Sequence, residues 1–337
     1  MDLESLTELG PSKLAGKFVD GSPEWHQQRA TGIGGSDVAS VAQIEGAFKS
    51  RYVLWLEKAG LIPPETPNER TAELFEFGHR LEPVIAEAFA DRMLDNYGVE
   101  EVAMTESGSW ARVDHPWALA NPDRLVLLDG ELVGLEIKAS GHGAGYEGGM
   151  PPQKYLAQCL WYAGNLGLGT FYLAALISLG SLQIWRLSIK ETAVNVVNLT
   201  SGENEWFGMN YGHLFEEAKE FHASLLSGEA PPLDGGNDTY DYMRAKETTI
   251  RPKGTVDIPL ELAQRLHQWD AVNKESEVEL KRAKSETLEL MGDAKDALVE
   301  GTKVAYRQMS GRAKAPSLYL AKGTKVRELM AADNKTS

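Results

Sequence analysis

Asp123, Glu136 and Lys138 are the residues whose types and spacing could do chemistry together, and they fall within NPDRLVLLDGELVGLEIK, residues 121–138. Asp129-Gly130, between two apolar-rich runs, is a preferred pair for a two-residue type I′ hairpin turn. That turn sets Leu128 opposite Glu131, and the same register puts Asp123 opposite Glu136. Alternation along a strand then places Lys138 on the Glu136 face. Opposed carboxylates repel unless a cation sits between them, and oxygen ligands suit a divalent ion. Mg2+ held by one or two carboxylates keeps several waters, which leaves room for a phosphate oxygen and an attacking water. An adjacent lysine can orient that water or steady developing charge. This is the chemistry of phosphodiester hydrolysis. The plain alternative is a surface hairpin with a Glu-Lys pair, against which Asp123 at the matching register argues.

The elements that must position this hairpin can be read on either side of it. Ser22-Pro23 is a helix start carrying Trp25 and Arg29, and it runs to a glycine turn, GIGGSD (32–37), with Ser36 expected to cap a second helix from Asp37. Main-chain N–H groups after glycines, Gly34 and Gly35 among them, together with Arg29 and Ser36 could hold a phosphate; a simple turn is the alternative. SRYVLWLEKAG (50–60) reads as a capped helix. Asn68 opens a long helix to about Leu94, whose apolar stripe is Phe75, Gly78, Ile85 and Phe89. Glu82 lies on that stripe, either as a third acid reaching the site or paired with an arginine such as Arg80. Pro83 implies a kink or restart. Residues 99–105, 109–113 and the hairpin read as successive antiparallel strands. The glycine-rich loop 139–150 holds His142 and no Lys or Arg. Pro151-Pro152 starts a helix on which Lys154, Gln158 and Trp161 share a face. Residues 169–178 and 181–189 form a further hairpin, and 203–226 reads as a helix.

Taken together, D-x12-E-x-K, Arg29 with GIGGSD, FGHRLEP (77–83), NPD (121–123) and PPQKYLAQCLWY (151–162) resemble the lambda-exonuclease or YqaJ-type viral recombinase branch of the PD-(D/E)xK nucleases, over roughly residues 20–228. The resemblance implies a restriction-endonuclease-like α/β core, a mixed central sheet flanked by helices. It implies Mg2+, one or two ions with Mn2+ able to substitute, on Asp123, Glu136, the Ile137 main-chain carbonyl and Glu82. Lys138 would activate water and Gln158 would hold a water or phosphate beside it. Arg29, Ser36, Gly34, Gly35 and Lys154 would bind DNA, with the 5′-terminal phosphate in the glycine turn. The activity implied is 5′-to-3′ digestion of one strand at double-stranded DNA ends, by a ring-shaped trimer partnered with a single-strand annealing protein. The basic residue that this branch can place beyond E-x-K has no counterpart in loop 139–150. An endonuclease on the same core, and a non-catalytic DNA-binding scaffold, are the rival readings.

Composition sets the outer bounds. The chain has 337 residues, 42% of them hydrophobic, enough for a sizeable core and for two domains. A break is expected at GEAPPLDGGND, giving a nuclease domain over 1–235 and a mainly helical extension over 236–337. No apolar run reaches the length of about 18 residues needed for a membrane span, and the N-terminus does not read as a signal peptide, so the expected place is the cytoplasm with no membrane partner. One cysteine, Cys159, excludes internal disulfides and the four-cysteine cluster of some related nucleases. A net charge of −15 speaks against a generally DNA-coating surface, but the imbalance is uneven: residues 1–235 hold 16 basic and 33 acidic groups, and 301–327 hold seven Lys or Arg and no acid. Residues 260–298 read as helix with a weak heptad seam through Leu262, Leu266 and Trp269, and 301–312 as a strand before a basic tail.

Overall fold

The computed structural model describes residues 2–19, 21–140, 145–146, 149–177, 180–246, 255–309 and 315–321. The chain divides into two compact units, Met1–Lys246 and Glu247–Ser337. In the first, a short 3-10 turn (Leu3–Ser5) precedes β1 (Glu8–Leu9), β2 (Ser12–Gly16), α1 (Pro23–Ala30), α2 (Gly35–Val41), α3 (Arg51–Lys58) and α4 (Glu69–Asn96). Then come β3 (Val102–Glu106), β4 (Ser109–Arg112), β5 (Leu119–Ala120), β6 (Arg124–Leu128), β7 (Glu131–Ser140), α5 (Gln153–Leu166), β8 (Thr170–Ile177) and β9 (Ser181–Ile189). β10 (Val194–Asn198), β11 (Asn204–Phe207), α6 (Tyr211–Ser227) and α7 (Asn237–Ala245) complete the unit.

A seven-stranded sheet of order β11-β10-β9-β8-β7-β6-β3 is the centre of the first unit. It is mixed: β7 and β8 pair in parallel, the other neighbours antiparallel. A parallel pair needs a crossover, and α5 supplies it. The β7 side chains alternate accordingly. Val133, Leu135 and Ile137 pack with Ile85, Phe89 and Met93 of α4 on one face. Gly134, Glu136 and Lys138 therefore point to the other, which is filled by α5, α2, α3, α6 and a small sheet of order β1-β2-β4-β5. Gly134 is glycine because the Phe171 ring occupies the space a Cβ would need. The expected architecture, a mixed sheet flanked by helices, is what the first unit has.

Several local expectations differ from the structure. Residues 203–226 are not one helix: 204–207 form β11, and α6 starts later because the Asn210 side chain caps it, accepting from the His213 N–H at 2.9 Å. β4 follows β3 in sequence but pairs with β2 and β5 in the small sheet, leaving β3 to pair with β6. α4 runs through Pro83, and its stripe is half right: Ile85 and Phe89 are buried, but Phe75 is 59% exposed. The first unit continues past Gly235, because Asp234 and Asp238 accept main-chain N–H groups of Tyr52 (3.0 Å) and Ser50 (2.7 Å), binding α7 to the start of α3. In the second unit α8 spans Leu260–Met291, followed by an antiparallel sheet of β12 (Asp296–Val299), β13 (Thr302–Gln308) and β14 (Ser317–Leu320). The helix therefore stops short of residue 298, the expected strand is β13, and seam residues Leu262, Leu266 and Trp269 are exposed. Of the basic tail, 310–314 and 322–337 lie outside the described residues, as does His142. Among the described residues no helix is long and apolar enough to cross a membrane.

Candidate active site

The hairpin has the expected register, from Leu128 opposite Glu131 to Arg124 opposite Leu135. Asp129 and Gly130 both take positive φ, 49° and 85°, as a type I′ turn requires. The ladder stops one pair short of Asp123, whose Oδ2 accepts the Ile137 main-chain N–H at 2.6 Å. Asp123 is thus fastened between Glu136 and Lys138. Glu136, 2% exposed, accepts at Oε1 from Lys138 Nζ and from Gln158 Nε2 at 2.6 Å. Gln158 Nε2 also donates to the Tyr162 hydroxyl at 3.1 Å, and Lys138 Nζ sits 5.1 Å from the Tyr155 ring centroid.

The electrostatics follow from two buried acids and one buried cation. Burial, then Glu136 and Glu82, push the Asp123 carboxyl well above its ordinary range against the pull of Lys138 and the Ile137 amide. Burial works against the Lys138 ammonium, yet Glu136 and Asp123 outweigh it and hold its pKa above the ordinary lysine value. Lys138 is therefore a cation, suited to orienting water and balancing charge.

These residues fit a hard divalent ion. Repulsion from Glu136 and Glu82 raises Asp123, and a cation would relieve it. Gln158 Oε1 is buried with no hydrogen-bond partner among the described residues, an oxygen for which a water or ligand is the natural partner. No cluster of three or more His, Cys, Asp or Glu forms a ready cage among the described residues. Asp123 and Glu136 instead offer a pair of carboxylates, an oxygen donor set of the kind that Mg2+ takes while keeping several waters.

Glu82 and Arg124 meet at the same end of the sheet. Arg124 Nη1 donates to Glu82 Oε1 at 2.6 Å and to the Asp123 carbonyl at 2.7 Å. Arg80 pairs instead with Glu76 within α4. Glu82 is close enough to raise Asp123, so it belongs to the charge balance of the site.

Arg29 and Ser36 are brought together as expected: Arg29 Nη2 donates to the Ser36 hydroxyl, and its guanidinium lies 4.6 Å from the Trp25 ring centroid. The expected cap is different. α2 begins at Gly35 with Gly34 as N-cap, and Asp37 Oδ2 accepts the Gly34 N–H at 3.0 Å, which leaves the Ser36 hydroxyl to Arg29. The glycines serve close approach: a Cβ on Gly32 would strike the Trp117 carbonyl, and one on Gly35 the Tyr162 ring. Gly35, Tyr162, Gln158 and Glu136 thus form a continuous chain of contacts from the glycine turn to the acids. Lys154, on the outer side, has its ammonium 4.1 Å from the Phe48 ring centroid and 5.2 Å from that of Tyr155.

Sequence reasoning missed Lys58, Arg124, Tyr155 and Tyr162 altogether, and treated Asp37 only as a helix start. Lys58 Nζ is 2.9 Å from Asp37 Oδ2 and donates to the Gly32 carbonyl at 2.7 Å. The one available signal was Asp37 three residues after Gly34, a capping-box spacing. Burial raises the Asp37 carboxyl, but Lys58, Arg29 and the Gly34 amide outweigh it, so the net pKa is lowered. A depressed carboxylate contributes stability that is complete above its unfolded value, about 3.9, and is lost as pH falls through the lower folded value. Asp37→Asn is expected to destabilise the protein by about 3–5 kcal/mol near neutrality, because it strands a buried ammonium. The gap should close in thermal melts as pH drops below about 4; a gap that does not vary with pH would show that the ion pair is not its source.

Residues 24–165 match the YqaJ-like viral recombinase domain. The uncharacterized protein YqaJ of Bacillus subtilis (strain 168) is 25% identical over 277 residues, covering 81% of this chain and 78% of its own. The alkaline exonuclease LHK-Exo of Laribacter hongkongensis is similar in structure with a TM-score of 0.42 and 18% identity, over 67% of this chain and 99% of that one. The same enzyme in complex with dAMP gives 0.43 and 17%, over 67% and 97%.

Proposed function

We propose that this chain, whose residues 24–165 match the YqaJ-like viral recombinase domain, is a Mg2+-dependent exonuclease digesting one strand of duplex DNA in the 5′-to-3′ direction. The observation that carries the reading is the fastening of Asp123 into β7 between Glu136 and Lys138, with Gln158 completing a buried acid-lysine-amide patch. Asp123 and Glu136, with the Ile137 carbonyl and Glu82, would hold the ion, one or two in number and replaceable by Mn2+. When bound, it supplies Lewis-acid polarisation of a phosphoryl oxygen and a more acidic water.

The protein's own groups supply position and charge. Lys138, as an ammonium, orients the attacking water and offsets charge building on the phosphate, and Gln158 has a free amide oxygen with which to hold that water. Water oxygen bonds to phosphorus, the P–O3′ bond breaks, and the departing 3′ oxygen takes up a proton. The products are a 5′-mononucleotide and a strand with a new 5′-phosphate. Arg29, Ser36 and the Gly34-Gly35 turn would receive that phosphate, with Lys154 on the neighbouring backbone. Resemblance to the family supports a ring-shaped trimer working with a single-strand annealing protein in the host cytoplasm, and the compact unit Met1–Lys246 would be the nuclease domain.

End-labelled linear duplex incubated with and without Mg2+ is the direct test. Labelled mononucleotide should appear with Mg2+ and not in EDTA, and 5′-labelled ends should be consumed first. A covalently closed circle should survive; its cleavage would make the activity endonucleolytic, and intact linear duplex would leave only a binding role.

A further inference from the structure

Beside the lysine of the acid site stands an aromatic row that the reading above does not use. Trp185, Tyr146, Tyr155 and Phe48 follow one another with ring centroids 5.6, 6.2 and 6.0 Å apart. Trp185 and Tyr146 are buried, and Phe48, at the outer end, is 52% exposed. An isolated exposed phenylalanine is ordinary, but this one is braced at a tilt of 55° by Tyr155 and carries the Lys154 ammonium 4.1 Å from its centroid. The Tyr155 ring has Lys138 at 5.1 Å and Lys154 at 5.2 Å. Lys138 is matched by Glu136, whereas Lys154 makes no ion pair among the described residues. Burial, and after it the neighbouring Lys138, depress the Lys154 pKa.

A flat exposed ring next to an unmatched cation, one aromatic contact from the site lysine, is complementary to a nucleotide, which presents a flat base beside an anionic phosphate. Arginine or lysine with aromatic faces is how single-stranded nucleic acid is commonly gripped, each stack being independent of base identity. We propose that Phe48, braced by Tyr155, is a stacking platform for the base of the 5′-terminal nucleotide, with Lys154 on the adjoining backbone phosphate. This rests on the reading of the acid site as a DNA-end site. The platform explains how a base freed from pairing is held while its phosphodiester lies at the acids, and it predicts selection for the presence of a base with tolerance of which base.

The test uses the full-length protein and 5′-phosphorylated linear duplexes whose 5′-terminal nucleotide is unpaired, either adenine or an abasic analogue. Binding is followed by fluorescence anisotropy in EDTA, so that hydrolysis plays no part. Wild-type protein should bind the adenine end about 10-fold more tightly than the abasic end, the lower part of the range for one base-aromatic stack. Phe48→Ala should bind the two ends within about twofold of each other, and Phe48→Trp should restore the difference. No discrimination by wild type, no measurable binding, or discrimination kept in Phe48→Ala would each overturn the platform. Digestion of the same duplexes in Mg2+ separates the two readings. Discrimination without digestion sinks the nuclease and leaves the platform, and digestion without discrimination does the reverse.

Discussion

Replacing Lys138 by alanine is expected to slow duplex digestion by roughly 10²- to 10⁴-fold, the range for loss of a positioned group that moves or balances a proton in the transition state. The deficit should persist at saturating Mg2+, since the carboxylates that would hold the ion remain. Asp123→Ala should also abolish digestion at ordinary Mg2+, but through weaker ion binding, so part of its loss should be recovered as Mg2+ is raised. The structure adds a stability difference. Glu136 is 2% exposed and Lys138 is the ammonium that balances it, so Lys138→Ala leaves a buried carboxylate without that charge and should cost about 3 kcal/mol. Asp123→Asn works the other way. It keeps an oxygen for the Ile137 N–H while removing a carboxylate crowded by Glu136 and Glu82; the ion-free protein should melt at a higher temperature than wild type and gain nothing from Mg2+. Single-turnover rates across a Mg2+ series, with melts in EDTA, measure both effects. Wild-type rates in Lys138→Ala and Asp123→Ala alike would remove these residues from the chemistry.

The hairpin was legible because its information is local. An Asp-Gly turn admits few geometries, and once Leu128 faces Glu131 every other pair in β6 and β7 follows. Helix starts were legible for the same reason: Ser22, Ser50 and Asn68 cap α1, α3 and α4 with their own side chains. What failed was set by partners distant in sequence. Arg124 meets Glu82 across 42 positions, and Lys58 reaches back to Asp37 and to the Gly32 carbonyl; no periodicity announces such pairs. β11 was taken for helix because four residues alternating in exposure are too few to outweigh the long amphipathic run after them, and its strand state comes from pairing with β10. Glycines 32 and 35 read only as parts of a turn, whereas each is required by a neighbour, Trp117 or Tyr162, that leaves no room for a Cβ. The sequence carried the residue types of the site and its first ring of local geometry; the counter-ions and the close approaches belong to the folded chain.

Those counter-ions decide what Arg29 can do. Asp37, the nearest acid, has its Oδ2 on Lys58 at 2.9 Å, while Arg29 stands 3.9 Å from the other oxygen and gives its hydrogen bond to the neutral Ser36 hydroxyl. The guanidinium is thus only loosely neutralised, is flattened against Trp25 and keeps about a third of its surface open to solvent. A planar, pre-positioned fork of this kind is matched to a phosphate. Charge-assisted hydrogen bonds contribute about 1.5–3 kcal/mol, or roughly 10- to 100-fold, so Arg29→Ala should lower the preference for 5′-phosphorylated over 5′-hydroxyl ends by that factor. Its effect on 5′-hydroxyl ends should be small, because the lost contact is absent there. Arg29→Lys should fall between the two, keeping charge while losing the fork. Because each hydrolytic step leaves a fresh 5′-phosphate, the same variant should shorten the run of nucleotides removed per binding event. Initial rates on the two kinds of end, and product lengths under a DNA trap, report these quantities. An unchanged preference in Arg29→Ala would reduce the Arg29-Ser36 pair to a brace between α1 and α2 and move recognition of the strand end elsewhere on the protein.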